Sequence, residues 1–365
     1  MLTSFKVTGL WGHQEYPFDF HEDLNIITGS NGTGKTTLLK LIWYMLSGHL
    51  KQAFLEVNFA RAELVTKTAI ITLQKRKAIK QDNHPIDGSS IEPGTPVALV
   101  HMKRLNGDNI FSRYAMPMTE LDILWNTQAP STTLPSLFFP TFRRVEGGFS
   151  FNEGNEALKI VEGFKDFSKR MSHQHHQMIA FADFDDVRAL INETSSDIRA
   201  KLQPEEDAFM AFISSITKSS NGLPNTQELQ HRAARLEQRR RELGRPLGLL
   251  SRYIDEYFLK KSVGVTDELR LGTHSTLVKI ESLSAGEKNL LSFLVYAMSM
   301  PGGVMFIDEP ELTLHHDWQS SLLPILKEIA PATQFVVATH SPAVYSSFPD
   351  KDFWLDARIN EEVAA

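Results

Sequence analysis

The sequence predicts an α/β fold whose two halves are separated by an inserted helical segment. A compact apolar strand at 24–28 passes through a glycine-rich loop into an apolar helix. Apolar runs typical of buried strands return at 304–308 and 334–338. Between the two halves, from about 155 to 262, helical periodicity and charge dominate. We therefore expect an α/β domain built from 1–150 and 266–365, with a helical domain at 151–265.

Composition limits the class of protein. The 365 residues include 38 Lys and Arg against 44 Asp and Glu, giving a net charge of −6, and 42% of them are apolar. Such a chain buries a core and is neither disordered nor collagen-like. The absence of cysteine excludes disulfides, thiolate zinc sites and a cysteine nucleophile. Without a signal-like start or a run of ~18 apolar residues, we expect a cytoplasmic protein with no membrane contact.

The first 150 residues carry strand patterns with one helix. Apolar and polar residues alternate near the start, and turn-forming residues at 82–96 separate two β-branched runs, which favours antiparallel pairing. The expected elements are strands at 5–10, 18–20 and 24–28, a helix at 36–46, antiparallel strands within 64–73 and 97–102, and a short strand at 137–140.

The inserted segment is charged and helical, as at 229–243. We expect breaks near 221–224 and 244–246, where glycine and proline fall together. About 110 residues give two arms of at most ~80 Å at 1.5 Å per residue, so we expect a compact domain or short coiled coil rather than a long tether.

A phosphate-binding loop is predicted at Gly29–Thr36, which matches G-x-x-x-x-G-K-[ST] at every fixed position and lies between a strand and a helix. The glycines let backbone N–H groups surround phosphate oxygens, and the helix N-terminus adds partial positive charge. Lys35 would reach the β- and γ-phosphates of ATP, and the Thr36 hydroxyl would bind Mg²⁺. The predicted nucleotide-binding residues are Ser30, Asn31, Gly32, Thr33, Gly34, Lys35, Thr36 and Thr37.

Two carboxylates end the buried strand at 304–308. Asp308 suits the Mg²⁺ shell, and Glu309, one residue further on, suits polarisation of the attacking water. After the next apolar strand comes His340, which is either a structural histidine or a contact to the γ-phosphate.

A second helix start, at Ser284–Glu287, allows two interpretations. Ser284 and Glu287 have the Ser-x-x-Glu spacing of a capping box, which would make this a well-capped helix and nothing more. Alternatively, Ser284 and the Gly286 backbone bind a γ-phosphate, as helix N-termini do.

These four motifs, in this order, resemble those of the ATP-binding cassette (ABC) ATPases, in the SMC-like and OLD-like branch. The resemblance implies a Walker A motif at Gly29–Thr36, a signature at Leu283–Glu287, a Walker B motif at Val304–Glu309 and a switch histidine at His340. It also implies an ABC-ATPase fold and a homodimer or higher homo-oligomer. In that arrangement two copies sandwich ATP, the signature of one copy facing the Walker A motif of the other.

The sequence departs from the family's pattern at the Q-loop, where no glutamine can be placed. Arg143 or Arg144 either serves there or pairs with a neighbouring carboxylate. We expect Asp183–Asp186 to form a solvated acidic turn and the histidines at 173–176 to form a surface cluster rather than a zinc site. An arginine-rich run at 232–245 is suited to DNA phosphates or, because glutamates interrupt it, to a solvated helix face.

The resemblance implies a Mg²⁺-dependent ATPase that acts as a switch or scaffold. Standalone proteins of this kind resemble the ATPase components of bacterial anti-phage systems. The stretch at 139–146, Phe-Pro-Thr-Phe-Arg-Arg-Val-Glu, resembles the ATPase subunit of the PARIS type, whose partner is a TOPRIM nuclease. We therefore expect a separate effector protein, a nuclease or toxin, and no nuclease domain in this chain. The alternatives are a DNA-binding repair ATPase of the Rad/RecF type and, disfavoured by the long insertion, a transporter nucleotide-binding subunit.

Overall fold

The computed structural model describes residues 1–10, 14–84, 88–105, 109–117, 134–141, 144–145, 155–172, 175–182, 184–218, 226–257, 263–265, 269–271, 283–300 and 302–355. The strands are β1 (Leu2–Leu10), β2 (Gln14–Asp19), β3 (Leu24–Gly29), β4 (Arg61–Thr66), β5 (Ala69–Lys77), β6 (Pro96–Arg104), β7 (Asn109–Pro117), β8 (Ser136–Phe139), β9 (Arg144–Val145), β10 (His176–Met178), β11 (Phe181–Ala182), β12 (Val263–Val265), β13 (Leu269–Leu271), β14 (Val304–Asp308), β15 (Gln334–Ala338) and β16 (Asp352–Leu355). The α-helices are α1 (Lys35–Ser47), α2 (Leu50–Glu56), α3 (Asn155–Arg170), α4 (Phe184–Lys218), α5 (Thr226–Tyr257), α6 (Ala285–Ser299), α7 (His316–Ile329) and α8 (Pro342–Tyr345).

An antiparallel sheet is formed by six strands in the order β2-β1-β4-β5-β6-β7. Along β4 the side chains alternate between the core and the exterior, with Ala62 and Leu64 fully buried. The β-branched run at 64–73 holds a hairpin, whose turn is fixed by hydrogen bonds to the Thr66 hydroxyl from the Thr68 and Ala69 amides. The predicted antiparallel subdomain is confirmed.

A parallel sheet, in the order β10-β8-β14-β15-β3-β16, lies behind it. Every residue of β3, β14 and β15 is buried because helices cover both faces, as uninterrupted apolar strands require. Since neighbouring strands run in the same direction, β3, β14 and β15 end at one edge of the sheet. The phosphate loop follows β3, Asp308 and Glu309 lie at the end of β14, and His340 lies two residues beyond β15.

Helices form a layer on each face of the parallel sheet. Helix α1 lies between the two sheets, where Leu38, Ile42 and Trp43 pack with β1, β4 and the near face of the parallel strands. Helices α6 and α7 pack on the opposite face with Ile26, Ile307 and other residues of the far side. The α/β class, with a separate antiparallel sheet, is confirmed.

The inserted segment contains a long antiparallel helical hairpin. Helix α4 has 35 residues and α5 has 32, so each is about 50 Å long at 1.5 Å per residue. Arg239 and Arg240 of α5 pair with Glu205 and Glu206 of α4, which fixes the antiparallel register.

The break expected at 244–246 is wrong, because α5 continues through Pro246. The residues that follow it anchor the helix: Leu249, Leu250 and Ile254 are buried in the core against α6. Local propensity is weaker than such packing.

Two short strands also lie where the sequence indicated only helices. Strand β10 pairs with β8 at the edge of the parallel sheet, and β11 pairs with β9. Three residues are too few to show an alternating pattern.

No helix among the described residues has the length and apolarity needed to cross a bilayer.

Candidate functional site

The phosphate loop joins β3 to α1 in the predicted strand–loop–helix geometry. Gly32 and Gly34 have φ of 82° and 90°, values that glycine adopts without strain. Gly34 is the N-cap of α1 and no side chain caps the helix, so its first backbone N–H groups are left for an anion. Ser30, Asn31 and Gly32 are exposed at the mouth of the loop.

Lys35 lies beneath this loop and is 5% exposed. Its Nζ donates hydrogen bonds to the carbonyl oxygens of Gly29 and Ser30, at 3.0 and 3.2 Å, and lies 3.9 Å from Oε1 of Glu309. The cation therefore links the loop to the end of β14. Thr33 stabilises the loop through a hydrogen bond from its hydroxyl to the Ser30 carbonyl at 2.9 Å.

Asp308 ends β14 and is completely buried. One carboxylate oxygen accepts a hydrogen bond from the Thr36 hydroxyl at 3.0 Å, and the other accepts one from the Thr141 hydroxyl. Hydroxyl and carboxylate oxygens are the hard donors that Mg²⁺ prefers, so the two predicted metal residues lie together and fit that ion. Thr37 lies beside them in the first turn of α1.

Thr141 was not predicted. It follows β8, at the position where the sequence analysis sought a Q-loop residue and considered Arg143 or Arg144. Arg143 and the side chain of Arg144 lie outside the described residues.

Glu309 has a φ of 47°, the only positive φ of a non-glycine residue in the described parts of the chain. Its backbone N–H donates to the Ala338 carbonyl at 2.8 Å, which holds the turn against β15. Left-handed backbone in a glutamate costs energy and persists where the surroundings impose it, often at functional sites. The geometry directs the side chain toward Lys35 and His340.

His340 reaches the Glu309 carboxylate, with its Nδ1 2.6 Å from Oε2. Burial raises the pKa of the Glu309 carboxyl, the neighbouring Glu311 raises it further, and His340 opposes both. The imidazole is 43% exposed, so it remains accessible from the mouth of the site.

Glu311 is a second residue that the sequence analysis did not assign. Its Oε1 accepts hydrogen bonds from the Thr339 hydroxyl and from the His340 and Ser341 backbone N–H groups, at 2.6, 2.9 and 3.1 Å. One ligand atom from each of Glu309, Glu311 and His340 lies within 4.8 Å of the others, a spacing that would also accommodate a metal ion. The 2.6 Å contact between Nδ1 of His340 and Oε2 of Glu309 is a hydrogen-bond distance.

The helix start at Ser284 has both bonds of a capping box. The Ser284 hydroxyl accepts from the Glu287 backbone N–H at 3.3 Å, and the Ser284 N–H donates to the Glu287 carboxylate at 2.6 Å. Both bonds of the predicted capping box are thus present, and Ser284 is exposed beside Gly286. The structure does not bring this turn to the phosphate loop: α6 lies on the far face of the parallel sheet from α1.

The arginines of the run on the helical hairpin form ion pairs with glutamates. Arg232 pairs with Glu228 and Arg241 with Glu237, while Arg239 and Arg240 pair across the hairpin. These contacts favour the solvated-face interpretation over a DNA-binding surface.

The expected surface histidine cluster is wrong at His176. This side chain is 1% exposed and its Nδ1 lies 2.8 Å from the Ser136 hydroxyl. The hydrogen bond lets a buried polar ring pack in the core. His173 and Asp183 lie outside the described residues, and Asp185 and Asp186 occupy the first turn of α4.

Two family models match the chain. One, described as "AAA domain", covers residues 4–244, and the other, described as "AAA domain, putative AbiEii toxin, Type IV TA system", covers residues 169–346. The chain is 21% identical to the "Retron Ec83 probable ATPase" of Escherichia coli over 93% of this chain and 68% of that protein. It is 22% identical to the "Septu protein PtuA" of Bacillus thuringiensis over 100% of this chain and 75% of that protein.

Solved structures of SMC head domains also align with the chain. The Pyrococcus furiosus head bound to the C-terminal domain of ScpA shares 15% identity over 94% of this chain and 91% of that one, with a TM-score of 0.38. The Thermotoga maritima head shares 14% identity over 95% and 91%, with a TM-score of 0.37.

Proposed function

The chain belongs to the AAA domain family of ATPases, and from this premise we propose that two copies close around ATP and Mg²⁺ as a hydrolysis-driven switch. The observation that carries the proposal is the convergence of Lys35, Asp308 and Glu309 at one sheet edge. The signature turn that would complete this site lies on the opposite face of the same sheet. One chain therefore presents two half-sites, which a second copy can join.

Each residue at the sheet edge has a distinct proposed role. The open N-terminus of α1 and Lys35 bind the phosphates, since Lys35 can exchange its carbonyl partners for phosphate oxygens. Thr36 and Asp308 would hold Mg²⁺, which would supply positive charge next to the phosphates when bound. Glu309 takes a proton from the attacking water, and its raised pKa makes it a better base than an ordinary glutamate. His340, bonded to Glu309, senses the γ-phosphate.

The capped turn at Ser284 would supply the other half of the site. Its exposed hydroxyl and the backbone N–H groups of Ala285 and Gly286 begin a 15-residue helix, a suitable anion-binding end. Closure buries the γ-phosphate between this turn and Lys35 of the other copy.

The mass in solution of the Glu309→Gln variant, measured with Mg-ATP, tests whether two copies close around the nucleotide. Without turnover, the variant should accumulate a species of at least twice the 41.2 kDa of one chain, measured by light scattering after gel filtration. Adding Ser284→Asp should prevent this. Aspartate caps a helix as well as serine does, but its charge would repel the γ-phosphate. A single-copy mass for Glu309→Gln at saturating Mg-ATP would contradict the proposal.

The switch is further proposed to hold a separate effector protein, a nuclease or toxin, until a trigger such as phage infection arrives. The similarity to a retron ATPase, to a Septu protein and to a toxin-type family model supports this role. In this proposal the partner, and not this chain, destroys the target.

Co-expression with the product of the adjacent open reading frame tests this role. The two proteins should co-elute, and cells carrying both should resist plaque formation by phage. Lys35→Ala should abolish resistance because it removes the phosphate ligand. A pair that neither co-elutes nor changes plating would count against an effector, while leaving the ATPase proposal intact.

A further inference from the structure

Glu311 joins the two strand ends that carry the proposed machinery. It lies two residues beyond Glu309, in the 3₁₀ turn at Pro310–Thr313, and its side chain is 5% exposed. Its own backbone is fixed by hydrogen bonds from the Leu314 N–H, at 3.2 Å, and from the Gln319 side chain, at 3.4 Å. These hydrogen bonds fix the backbone from which the Glu311 carboxylate projects.

The three hydrogen bonds to its Oε1 all come from the turn that follows β15. They fix three successive residues, Thr339, His340 and Ser341. The same oxygen lies 3.2 Å from Nδ1 of His340. A second contact supports the turn: the Ser341 hydroxyl donates to the Gln319 amide oxygen at 2.8 Å.

The arrangement determines where the imidazole lies. His340 is 43% exposed, so packing alone does not restrict its rotamer. Its backbone N–H is held by Glu311, while its ring meets Glu309 at 2.6 Å. Hydrogen bonds to a charged acceptor are roughly twice as strong as neutral ones, so a carboxylate is suited to hold such a turn.

We propose that Glu311 is a positioning residue for ATP hydrolysis: it clamps the turn at 339–341 so that His340 stays in contact with Glu309. The inference rests on the proposed function, in which those two residues act on the γ-phosphate and the attacking water. In this proposal Glu311 acts by holding the turn that carries His340. The other oxygen of its carboxylate, Oε2, makes no hydrogen bond.

A double-mutant cycle with His340 tests the proposal. Glu311→Ala should lower kcat by about 100-fold, the cost that a displacement of about 1 Å imposes on catalytic geometry. ATP affinity, measured by fluorescent-nucleotide binding, should not change, since Glu311 does not contact the phosphate loop. In a His340→Ala background, the loss of kcat caused by Glu311→Ala should be much smaller, because only the direct effect of Glu311 on the neighbouring Glu309 carboxyl is left.

Two milder substitutions keep the test decisive if Glu311→Ala does not fold. Glu311→Gln keeps an acceptor oxygen for the turn and should recover most of the activity. Thr339→Val removes one of the three donors and should lower kcat by a smaller factor, again only when His340 is present. Asp82→Ala is the matched control, because Asp82 likewise accepts a hydrogen bond from a backbone N–H, that of Ile79, but in the loop between β5 and β6. It should lower thermal stability and leave kcat unchanged.

The proposal is overturned if Glu311→Ala keeps wild-type kcat, or if its loss multiplies with that of His340→Ala. Failure of the proposed function would give a different result. In that case Glu309→Gln would hydrolyse ATP normally, whatever the Glu311 variants do.

Discussion

Glu309→Gln separates chemistry from binding more cleanly than any other substitution in the site. The amide has the same shape as the carboxylate but cannot accept the proton of the attacking water. General bases contribute about 10²- to 10⁴-fold, so kcat should fall by that factor. At about 1.4 kcal/mol per tenfold, this is a barrier increase of about 3–5 kcal/mol.

The contacts of Lys35 predict the effect on binding. Its Nζ lies 3.9 Å from Glu309 but 3.0 and 3.2 Å from two carbonyl oxygens, which the substitution leaves in place. Removing the carboxylate eliminates a competitor for this cation, so ATP should bind at least as tightly as in the wild type. Because these carbonyl hydrogen bonds persist, the loss of stability should be below the ~3–5 kcal/mol of an isolated buried pair.

Single-turnover phosphate release and fluorescent-ATP titration measure the two quantities separately. Glu206→Gln is the matched control, because it also breaks a glutamate ion pair, with Arg240, but on the helical hairpin. A Glu309→Gln protein that releases phosphate within tenfold of the wild-type rate would refute the assignment of the base. Loss of ATP binding would refute the account of Lys35.

Three further predictions concern the surroundings of the site. Thr141→Val removes a hydrogen-bond donor to Asp308 and should raise the Mg²⁺ concentration for half-maximal activity by about tenfold, measured by metal titration. Burial tends to raise the pKa of Asp23, but hydrogen bonds from two lysines outweigh it and depress the pKa well below its ordinary value. The contribution of Asp23 to the free energy of unfolding should therefore be present above pH ~4, where this aspartate ionises in the unfolded chain, and be lost as pH falls toward the depressed pKa. Chemical denaturation of the wild type and of Asp23→Asn across pH 3–7 measures this contribution. The difference in stability between the two proteins should shrink as the pH falls. Tyr253→Phe removes a hydrogen bond to Glu328 that ties the helical hairpin to α7 and should cost about 1 kcal/mol, with unchanged kcat, by urea denaturation.

The sequence predicts those parts of the site that are local. Gly32, Gly34 and Lys35 are close together in the chain, and their function follows from one strand–loop–helix unit. Asp308 and Glu309 likewise follow directly from a buried strand. The convergence of these residues at one sheet edge follows from parallel strands that end together.

Contacts between distant segments could not be predicted in this way. Thr141 meets Asp308 because β8 and β14 are neighbours in the sheet, and no pattern near Thr141 indicates that pairing. Glu311 stands in a recognisable Asp-Glu-Pro-Glu sequence, yet its partners lie about 30 residues further along. His176 appears in sequence as part of a polar histidine cluster, and only the pairing of β10 with β8 buries it.

The helix break predicted at 244–246 is wrong for a related reason. Glycine and proline at 244–246 predict a break, since proline removes one backbone hydrogen bond. Leu250 and Ile254, buried in the core against α6 and α7, hold that part of α5 helical. Tertiary packing therefore determined the outcome, and it was not visible in the local sequence.

Complementation between two inactive variants tests most directly whether two copies build one site. Lys35→Ala disables the phosphate loop, and Ser284→Asp disables the signature turn while keeping its helix cap. In a mixed dimer, the altered phosphate loop of one copy faces the altered signature turn of the other, so both defects fall in the same composite site. The second composite site is built from the two unaltered halves and is intact. Random mixing of equal amounts should therefore restore up to about a quarter of wild-type ATPase activity, although each variant alone is inactive. A mixture no more active than its components, or full activity of Ser284→Asp alone, would contradict the shared site.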